Sequence, residues 1–110
     1  MTESGYQGWK NYETWAVNLW LQNDEGTYQY WLGSASDAWE QAEADRTFSR
    51  MENAREALYM QLRNELLEAA DEAVDSGTLW ADLLGAALGD VEWLEIADAF
   101  LECVDTDEDE

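Results

Sequence analysis

Apolar residues recur at three- and four-residue steps along most of this sequence, the spacing that places them on one side of an α-helix. No stretch of any length alternates strictly between apolar and polar residues, as a half-buried strand would. The chain contains no proline, so glycines and Asn, Asp, Ser or Thr caps divide it into segments. The pattern predicts an all-α fold, a compact bundle of about five helices.

A glycine separates the first two predicted helices. The first spans 11–23 and ends before Gly26, and Thr27 is the expected cap of the second, which runs from about 28 to 45. The apolar side of the first helix consists of Tyr12, Trp15 and Leu19, and Val17, Trp20 and Leu21 widen it. The apolar side of the second consists of Trp31, Leu32, Ala35, Ala38, Trp39 and Ala42.

The third helix has the clearest start and end. Ser49 followed three residues later by Glu52 is a capping-box signature, and Ser76 with Gly77 forms the stop. The apolar residues between them are Met51, Ala54, Leu58, Leu62, Leu66, Ala69 and Ala73. We expect this helix to be the long spine of the molecule.

Two shorter apolar helices follow. Thr78 is the expected cap of a helix over 79–88, and Asp90 is the expected cap of a last helix over 91–104. The inward side of the last helix consists of Trp93, Leu94, Ala97, Phe100 and Leu101. Both helices are predicted to be buried over a wide face.

The sequence predicts one domain. Its 110 residues suit a single helical unit, which we place at 1–104 with a flexible lead-in over 1–10. The acidic segment 105–110 has nothing to bury and is expected to be a disordered tail. No signal-peptide pattern and no run of about 18 apolar residues is present, so the expected location is the cytoplasm, that of the host cell if a phage encodes the protein.

The charge is the outlying property of the composition. Asp and Glu number 26 against five Lys and Arg, which gives a formal net charge of −21 at pH 7. Such an imbalance repels itself, and either a basic partner or a cation-rich solvent would offset the cost. Direct binding to nucleic acid or to an anionic membrane is disfavoured, because phosphate contacts need Lys and Arg.

The residue types that most enzymes and metal sites use are scarce. The sequence has no His, which removes the commonest general base and metal ligand, and also the partner that Cys103 would need as a nucleophile. We therefore expect Cys103 to be a buried structural thiol. The run 23–26 lacks the alternating ligands of a calcium loop and is interpreted as a turn. No enzymatic activity, metal or cofactor is expected.

The acids themselves follow a helical pattern on three helices. On the spine helix they are Glu65, Glu68, Asp71, Glu72 and Asp75, and on the last helix Glu92, Glu95, Asp98 and Glu102. The second helix and its end add Asp37, Glu40, Glu43 and Asp45. A solvated face is one interpretation. The other is a binding surface that copies the regular negative charges of nucleic-acid phosphates.

Two segments resemble a known group of proteins. The run NYETWAVNLWLQNDEGTY over 11–28, with ADLLGAALGDVEWLEIADA over 81–99, resembles a family of small acidic proteins found in phages, plasmids and some haloarchaeal genomes. The resemblance transfers no catalytic or binding residue. It implies a mobile-element setting, in which small acidic proteins resemble DNA mimics that block restriction or CRISPR nucleases.

The aromatic residues of the first segment have two interpretations. Tyr12, Trp15 and Trp20 are taken as core-packing side chains, with an exposed contact surface for a partner as the alternative.

Three functional hypotheses follow. The leading one is a non-enzymatic inhibitor whose acidic helices occupy the DNA- or RNA-binding groove of a basic host defence nuclease. The alternative is a haloadapted structural or regulatory protein whose acids hold hydrated cations. A third is an acidic chaperone or assembly factor for a basic protein. The sequence leaves the oligomeric state open.

Overall fold

The computed structural model describes residues 6–104, and the predicted helical fold is present there. The five helices within that range are α1 (Tyr12–Asn23), α2 (Glu25–Gln41), α3 (Arg50–Ala73), α4 (Leu79–Gly89) and α5 (Trp93–Leu101). The described residues contain one isolated β-bridge and no longer strand. The all-α prediction is therefore confirmed. The predicted acidic tail over 105–110, and positions 1–5 of the predicted lead-in, lie outside the described residues.

Helices α2, α3 and α5 enclose the core. Each contributes the apolar side that its sequence spacing predicts, and the fully or nearly fully buried side chains are Trp31, Ala35, Trp39, Ala54, Leu58, Leu62, Ile96, Ala97, Phe100 and Leu101. On α3 the burial stops after Leu62, and Ala69 and Ala73, which the sequence placed on the same apolar side, are exposed. The N-terminal half of α3 therefore belongs to the core, and its C-terminal half extends beyond it.

The junction of α1 and α2 differs from the prediction. Asp24 is at once the C-cap of α1 and the N-cap of α2. Its carboxylate accepts from the backbone N–H of Thr27 at 2.9 Å and from the Thr27 hydroxyl at 3.0 Å. The expectation that Gly26 ends the first helix and Thr27 caps the second was wrong, because one aspartate supplies a complete cap and Gly26 lies inside α2.

The caps of α3 and α4 match the prediction. Ser49 Oγ accepts from the backbone N–H of Glu52 at 3.1 Å, and Glu52 Oε1 accepts from the backbone N–H of Ser49 at 2.8 Å. These two bonds complete the predicted capping box. Gly77, at φ +80° after the end of α3, supplies the left-handed turn residue. Thr78 Oγ1 then caps α4 by accepting from the backbone N–H of Ala81 at 3.1 Å.

Helix α5 begins later than predicted. Asp90 was expected to cap it, but Asp90 is the C-cap of α4. The residue before α5 is Glu92, whose side chain makes no capping bond to the helix.

The buried side of α1 is polar in part, which the apolar spacing did not predict. Its buried residues are Thr14, Asn18 and Leu21. Of the side chains predicted to face inward, Tyr12 is 55% exposed, Leu19 is exposed and Trp15 is half-buried. The inward position predicted for Tyr12 and Leu19 was therefore wrong, whereas Leu21, at the edge of the predicted stripe, is buried.

A hydrogen-bond network explains the position of α1. The hydroxyl of Thr14 donates to Asn11 Oδ1 at 2.6 Å and accepts from the backbone N–H of Glu92 at 2.9 Å. Asn11 Oδ1 also accepts from the Thr14 backbone N–H, and Asn11 Nδ2 donates to the carbonyl of Asp90 at 2.7 Å. The start of α1 is thereby tied to the α4–α5 connection, and Thr14 must point inward.

Residues 6–10 dock on this same helix. Tyr6 and Trp9 exchange two backbone hydrogen bonds of 2.6 and 2.7 Å. The Tyr6 ring lies 5.2 Å from the Tyr12 ring and 4.9 Å from the Trp15 ring, both edge-on. Trp9 packs against the core. This part of the predicted lead-in is therefore fixed to the domain.

Helix α4 is not buried, contrary to the prediction. It contains no buried residue, whereas α5 contains five. Its half-buried residues Ala81, Leu84 and Leu88 line a groove with the half-buried α3 residues Leu67, Ala70 and Val74. Because this part of α3 extends beyond the core, α4 has a neighbour on one side only, and its apolar composition alone did not indicate how much of it is covered.

Candidate functional site: the carboxylates of α3

Three of the four acids predicted to form a face on α5 have partners inside the molecule. Lys10 Nζ lies 3.6 Å from Glu92 Oε1, and the backbone N–H of Lys10 donates to Glu95 Oε1 at 3.0 Å. Arg55 Nε lies 2.8 Å from Asp98 Oδ1. These carboxylates fasten the segment before α1, and also α3, to α5. Glu92 and Asp98 are paired with cations, and Glu95 is bonded to a neutral backbone N–H.

The ion pair with Asp98 shifts the protonation equilibrium of Arg55. The hydrogen bond to Asp98 and the charge of Asp98 raise the pKa of the Arg55 guanidinium. Glu102, the fourth acid of the predicted α5 face, is exposed at the C-cap.

Two exposed acids of α3 lie on one side of the helix, and a third exposed acid follows in the α3–α4 connection. Glu68 and Glu72 are four residues apart, which places them one turn apart on the same side of α3. Each stands one position after a residue that lines the groove with α4, so the two lie about 100° around the helix from that groove. Asp75 comes two residues after the end of α3, beyond the extended C-cap Val74. Within residues 6–104 none of the three carboxylates has a hydrogen-bond or ion-pair partner. We call Glu68, Glu72 and Asp75 the α3 stripe.

The other two predicted α3 acids are at the edges of this stripe. Glu65 is half-buried and accepts from the Tyr30 hydroxyl at 2.9 and 3.0 Å and from Gln61 Nε2 at 3.1 Å. Asp71 is exposed and lines the groove between α3 and α4. The structure thus divides the five predicted acids into a stripe of three, one fixed neighbour and one groove residue.

The basic side chains of α3 do not neutralise the stripe. Arg63, the nearest in sequence, lines a cleft of about 410 Å³ between α3, α4 and the start of α5. Arg50 stacks 4.0 Å from the centroid of the Trp39 ring and donates to the Trp39 carbonyl oxygen at 3.0 and 2.8 Å. Arg55 pairs with Asp98. Arg50 and Arg55 therefore join α3 to other helices, and Arg63 lines the cleft.

The charge spacing on α3 can be compared with that of a nucleic-acid strand. At 1.5 Å per residue, Glu65, Glu68, Asp71 and Glu72 occur over about 10 Å of helix. Phosphates of one strand of duplex DNA are about 3.4 Å apart along the axis. The four acids together approach that density, whereas Glu68 and Glu72, the two stripe acids on the helix, are about 6 Å apart.

Exposed acids also occur on α2 and in the loop that follows it. These acids are Asp37, Glu40 and Glu43. Asp45 accepts from the backbone N–H groups of Phe48 at 2.7 Å and Thr47 at 2.8 Å, and these bonds lower its pKa. Asp45 therefore shapes the α2–α3 loop.

The motif aromatics separate into two groups. Tyr12 and Trp15, with ring centroids 5.5 Å apart, form one cluster with Tyr6. Trp20 follows Trp15 by five residues, about 140° around the helix, and is 74% exposed. The three predicted residues therefore do not share one surface. Sequence spacing did not identify Tyr6, because it precedes the helix in a segment punctuated by glycines.

Two further predictions concern reactive or metal-binding residues. Cys103 is exposed, with its thiol 3.7 Å from the Ala99 carbonyl oxygen, so the expected buried thiol was wrong. α5 ends before Cys103, and this places the residue outside the apolar side of the helix. Among residues 6–104, no group of three His, Cys, Asp or Glu residues could hold a metal ion. No helix in that range has both the length and the apolar character to cross a membrane.

The sequence was compared with known proteins and families. The model of a family of unknown function, DUF7249, matches residues 2–98. Neither a curated protein nor a solved structure gives a significant match.

Proposed function

The chain belongs to this family of unknown function, and we propose that it is a non-enzymatic binding protein whose α3 stripe occupies the nucleic-acid-binding surface of a basic protein. The observation that carries the proposal is the α3 stripe, formed by Glu68 and Glu72 on one side of α3 and by Asp75 just beyond its end, all exposed and without a cationic partner in residues 6–104. The helix fixes the spacing of Glu68 and Glu72, so these two carboxylates are preorganised for a partner.

Electrostatics favour this kind of partner. Proteins that bind nucleic acid direct Lys and Arg side chains at phosphates, and these contacts position the duplex. A carboxylate row offers the same sign of charge at a similar spacing. The net charge of −21 would attract a basic protein over a distance and speed the encounter. Because salt screens exposed charges, the affinity should fall as ionic strength rises.

We further propose that the partner is a host defence nuclease of the restriction or CRISPR type. The support is the resemblance of residues 11–28 to small acidic proteins of phages and plasmids, together with the charge. The resemblance supports the choice of partner, and the α3 stripe supports the kind of contact that the partner would make.

Competition with nucleic acid tests the proposal. The immobilised chain is used at low salt to recover its partner from the lysate of a nuclease-bearing host. The anisotropy of labelled DNA or RNA bound to that partner is then followed as the chain is added. We expect the nucleic acid to be displaced, with a midpoint that rises with salt. Recovery of no basic nucleic-acid-binding protein, or a ternary complex without displacement, would overturn the proposal.

A second candidate function is adaptation to high salt. It is favoured by the exposed acids outside the stripe, which include Asp37 and Glu40 of α2, Glu56 of α3 and Asp82 of α4. In that case the carboxylates would hold hydrated cations at the surface. Helical circular dichroism between low salt and molar potassium chloride separates the two functions. A nucleic-acid mimic stays folded at low salt, whereas a haloadapted protein unfolds as salt is withdrawn.

A further inference from the structure

Helix α4 carries an exposed apolar ridge. Leu79, Trp80 and Leu83 are 63%, 65% and 55% exposed. Trp80 and Leu83 are three residues apart and therefore neighbours on the helix surface. We call these three residues the α4 ridge. A Trp and two Leu side chains left in water on one short helix mark a surface that gains free energy when it is covered.

The described part of the chain does not cover the ridge. The side of α4 that meets α3 is formed by Ala81, Leu84 and Leu88, so none of the described helices packs over Trp80 and Leu83. Within residues 6–104 the ridge is therefore left uncovered and is open to another molecule.

The charges around the ridge restrict what that molecule can be. Asp82 lies between Trp80 and Leu83 in the sequence, Asp75 precedes Leu79 by four residues, and Asp90 follows at the end of α4, all of them exposed. A second copy would bring another formal charge of −21 and be repelled. An anionic lipid surface would be repelled as well. A cationic segment with an apolar side is complementary in both respects.

We propose that the α4 ridge docks an amphipathic helix of the partner that carries Lys or Arg beside its apolar side chains. This inference rests on the proposed function and gives it a second contact. The apolar side of the partner helix packs on Trp80 and Leu83, in the helix-on-helix mode of recognition. Its cations face Asp75 and Asp82. The α3 stripe supplies attraction, while the ridge supplies specificity, because buried Trp side chains often dominate interface energies.

Two synthetic peptides separate the contributions of ridge and stripe. One is an amphipathic helix of Leu and Lys, and the other is an oligolysine of equal charge. Trp80→Ala with Leu83→Ala should weaken the amphipathic peptide about tenfold or more, as removal of a central hot spot does. Binding of oligolysine should change by less than about twofold, since no charge is removed. Trp20→Ala, which truncates the 74% exposed Trp20, is the matched control and should change neither.

A conservative variant shows whether loss of binding reflects the contact or the fold. Trp80→Phe with Leu83→Met keeps the ridge apolar and should retain most of the affinity for the amphipathic peptide. If this variant loses as much affinity as the alanine variant while circular dichroism is unchanged, apolar packing on the ridge is the wrong explanation.

The outcomes also separate the two proposals. If the alanine variant binds the amphipathic peptide as tightly as the parent chain, docking on α4 is overturned. The stripe is tested separately: the triple variant Glu68→Gln, Glu72→Gln, Asp75→Asn should lose affinity for oligolysine. Indifference of oligolysine to that triple change would overturn the stripe and leave the ridge standing. A dimer in sedimentation that the ridge variant dissociates would assign the surface to a second copy and overturn the inference.

Discussion

Arg55 Nε lies 2.8 Å from Asp98 Oδ1, and this ion pair joins the core half of α3 to α5. Asp98 stands at helical steps from Glu92 and Glu95, as if in an exposed acidic row, yet all three serve contacts inside the domain. The unneutralised surface is therefore smaller than the acid content suggests, and within residues 6–104 it includes acids of α2 as well as the far half of α3.

The Arg55–Asp98 pair is predicted to contribute modestly to stability. The two side chains are 40% and 43% exposed, so water screens their attraction and a coupling of about 0.2–1 kcal/mol is expected. A double-mutant cycle of Arg55→Met and Asp98→Asn, followed by urea unfolding, measures it. A coupling above about 3 kcal/mol, typical of a desolvated pair, would contradict this description.

Removal of the Thr14 hydroxyl should be costly. Thr14 is fully buried, and Thr14→Val leaves the backbone N–H of Glu92 without its acceptor. We expect a loss of about 1–3 kcal/mol in the free energy of unfolding, the cost of an unsatisfied buried donor. Thr27→Val, whose hydroxyl bond to Asp24 is exposed, is the control and should cost less. Equal effects of the two changes would show that the network does not position α1.

The α1–α2 junction should weaken in acid. The backbone N–H and the hydroxyl of Thr27 lower the pKa of Asp24. The cap therefore stabilises the fold above the ordinary aspartate pKa of about 3.9, and this contribution is lost as pH falls through the lowered folded value. Asp24→Ala should lower the melting temperature at pH 7 more than Asp24→Asn, which still caps. The difference between parent and Asp24→Ala should shrink in acid. A constant difference at all pH values would contradict a role for the ionised carboxylate.

The Cys103 thiol should react in the folded protein. It is exposed, and thiol reactivity requires access as well as thiolate. Ellman's reagent should modify Cys103 to completion without denaturant, at a rate similar to that in urea. Cys103→Ser should leave the unfolding midpoint nearly unchanged, because little packing is lost. If the thiol reacted only after unfolding, the exposed position of Cys103 would be contradicted.

The sequence predicted the positions and caps of the helices better than their orientation and burial. Capping by Ser49 and Thr78, and the inward sides of α2, the first half of α3, and α5, follow from local residue patterns and were confirmed. The orientation of α1 was not predictable from apolar spacing, since Thr14 is buried by a bond to Glu92, which is distant in the sequence. The exposure of α4 was missed for a related reason. The burial of a helix depends on how many other helices pack against it, and this number cannot be inferred from the composition of the helix.

The candidate site was predictable only in part. The four-residue step between Glu68 and Glu72 placed them on one side of α3, as the structure has them, whereas Asp75 lies beyond the end of the helix. Pairing depends on which cation the fold brings close, so the internal partners of Glu92, Glu95 and Asp98 could not be inferred from spacing. The ridge of Leu79, Trp80 and Leu83 was masked by the expectation that an apolar helix is buried.

The central claim is that the arrangement of carboxylates on α3, rather than net charge, binds the partner. Two triple variants that each remove three charges test it: Glu68→Gln, Glu72→Gln, Asp75→Asn on α3, and Asp37→Asn, Glu40→Gln, Glu43→Gln at α2. In competition with labelled nucleic acid for the partner, the α3 variant should weaken about tenfold or more, with the α2 variant close to the parent chain. Equal weakening of both variants would contradict the claim, because only total charge would then matter.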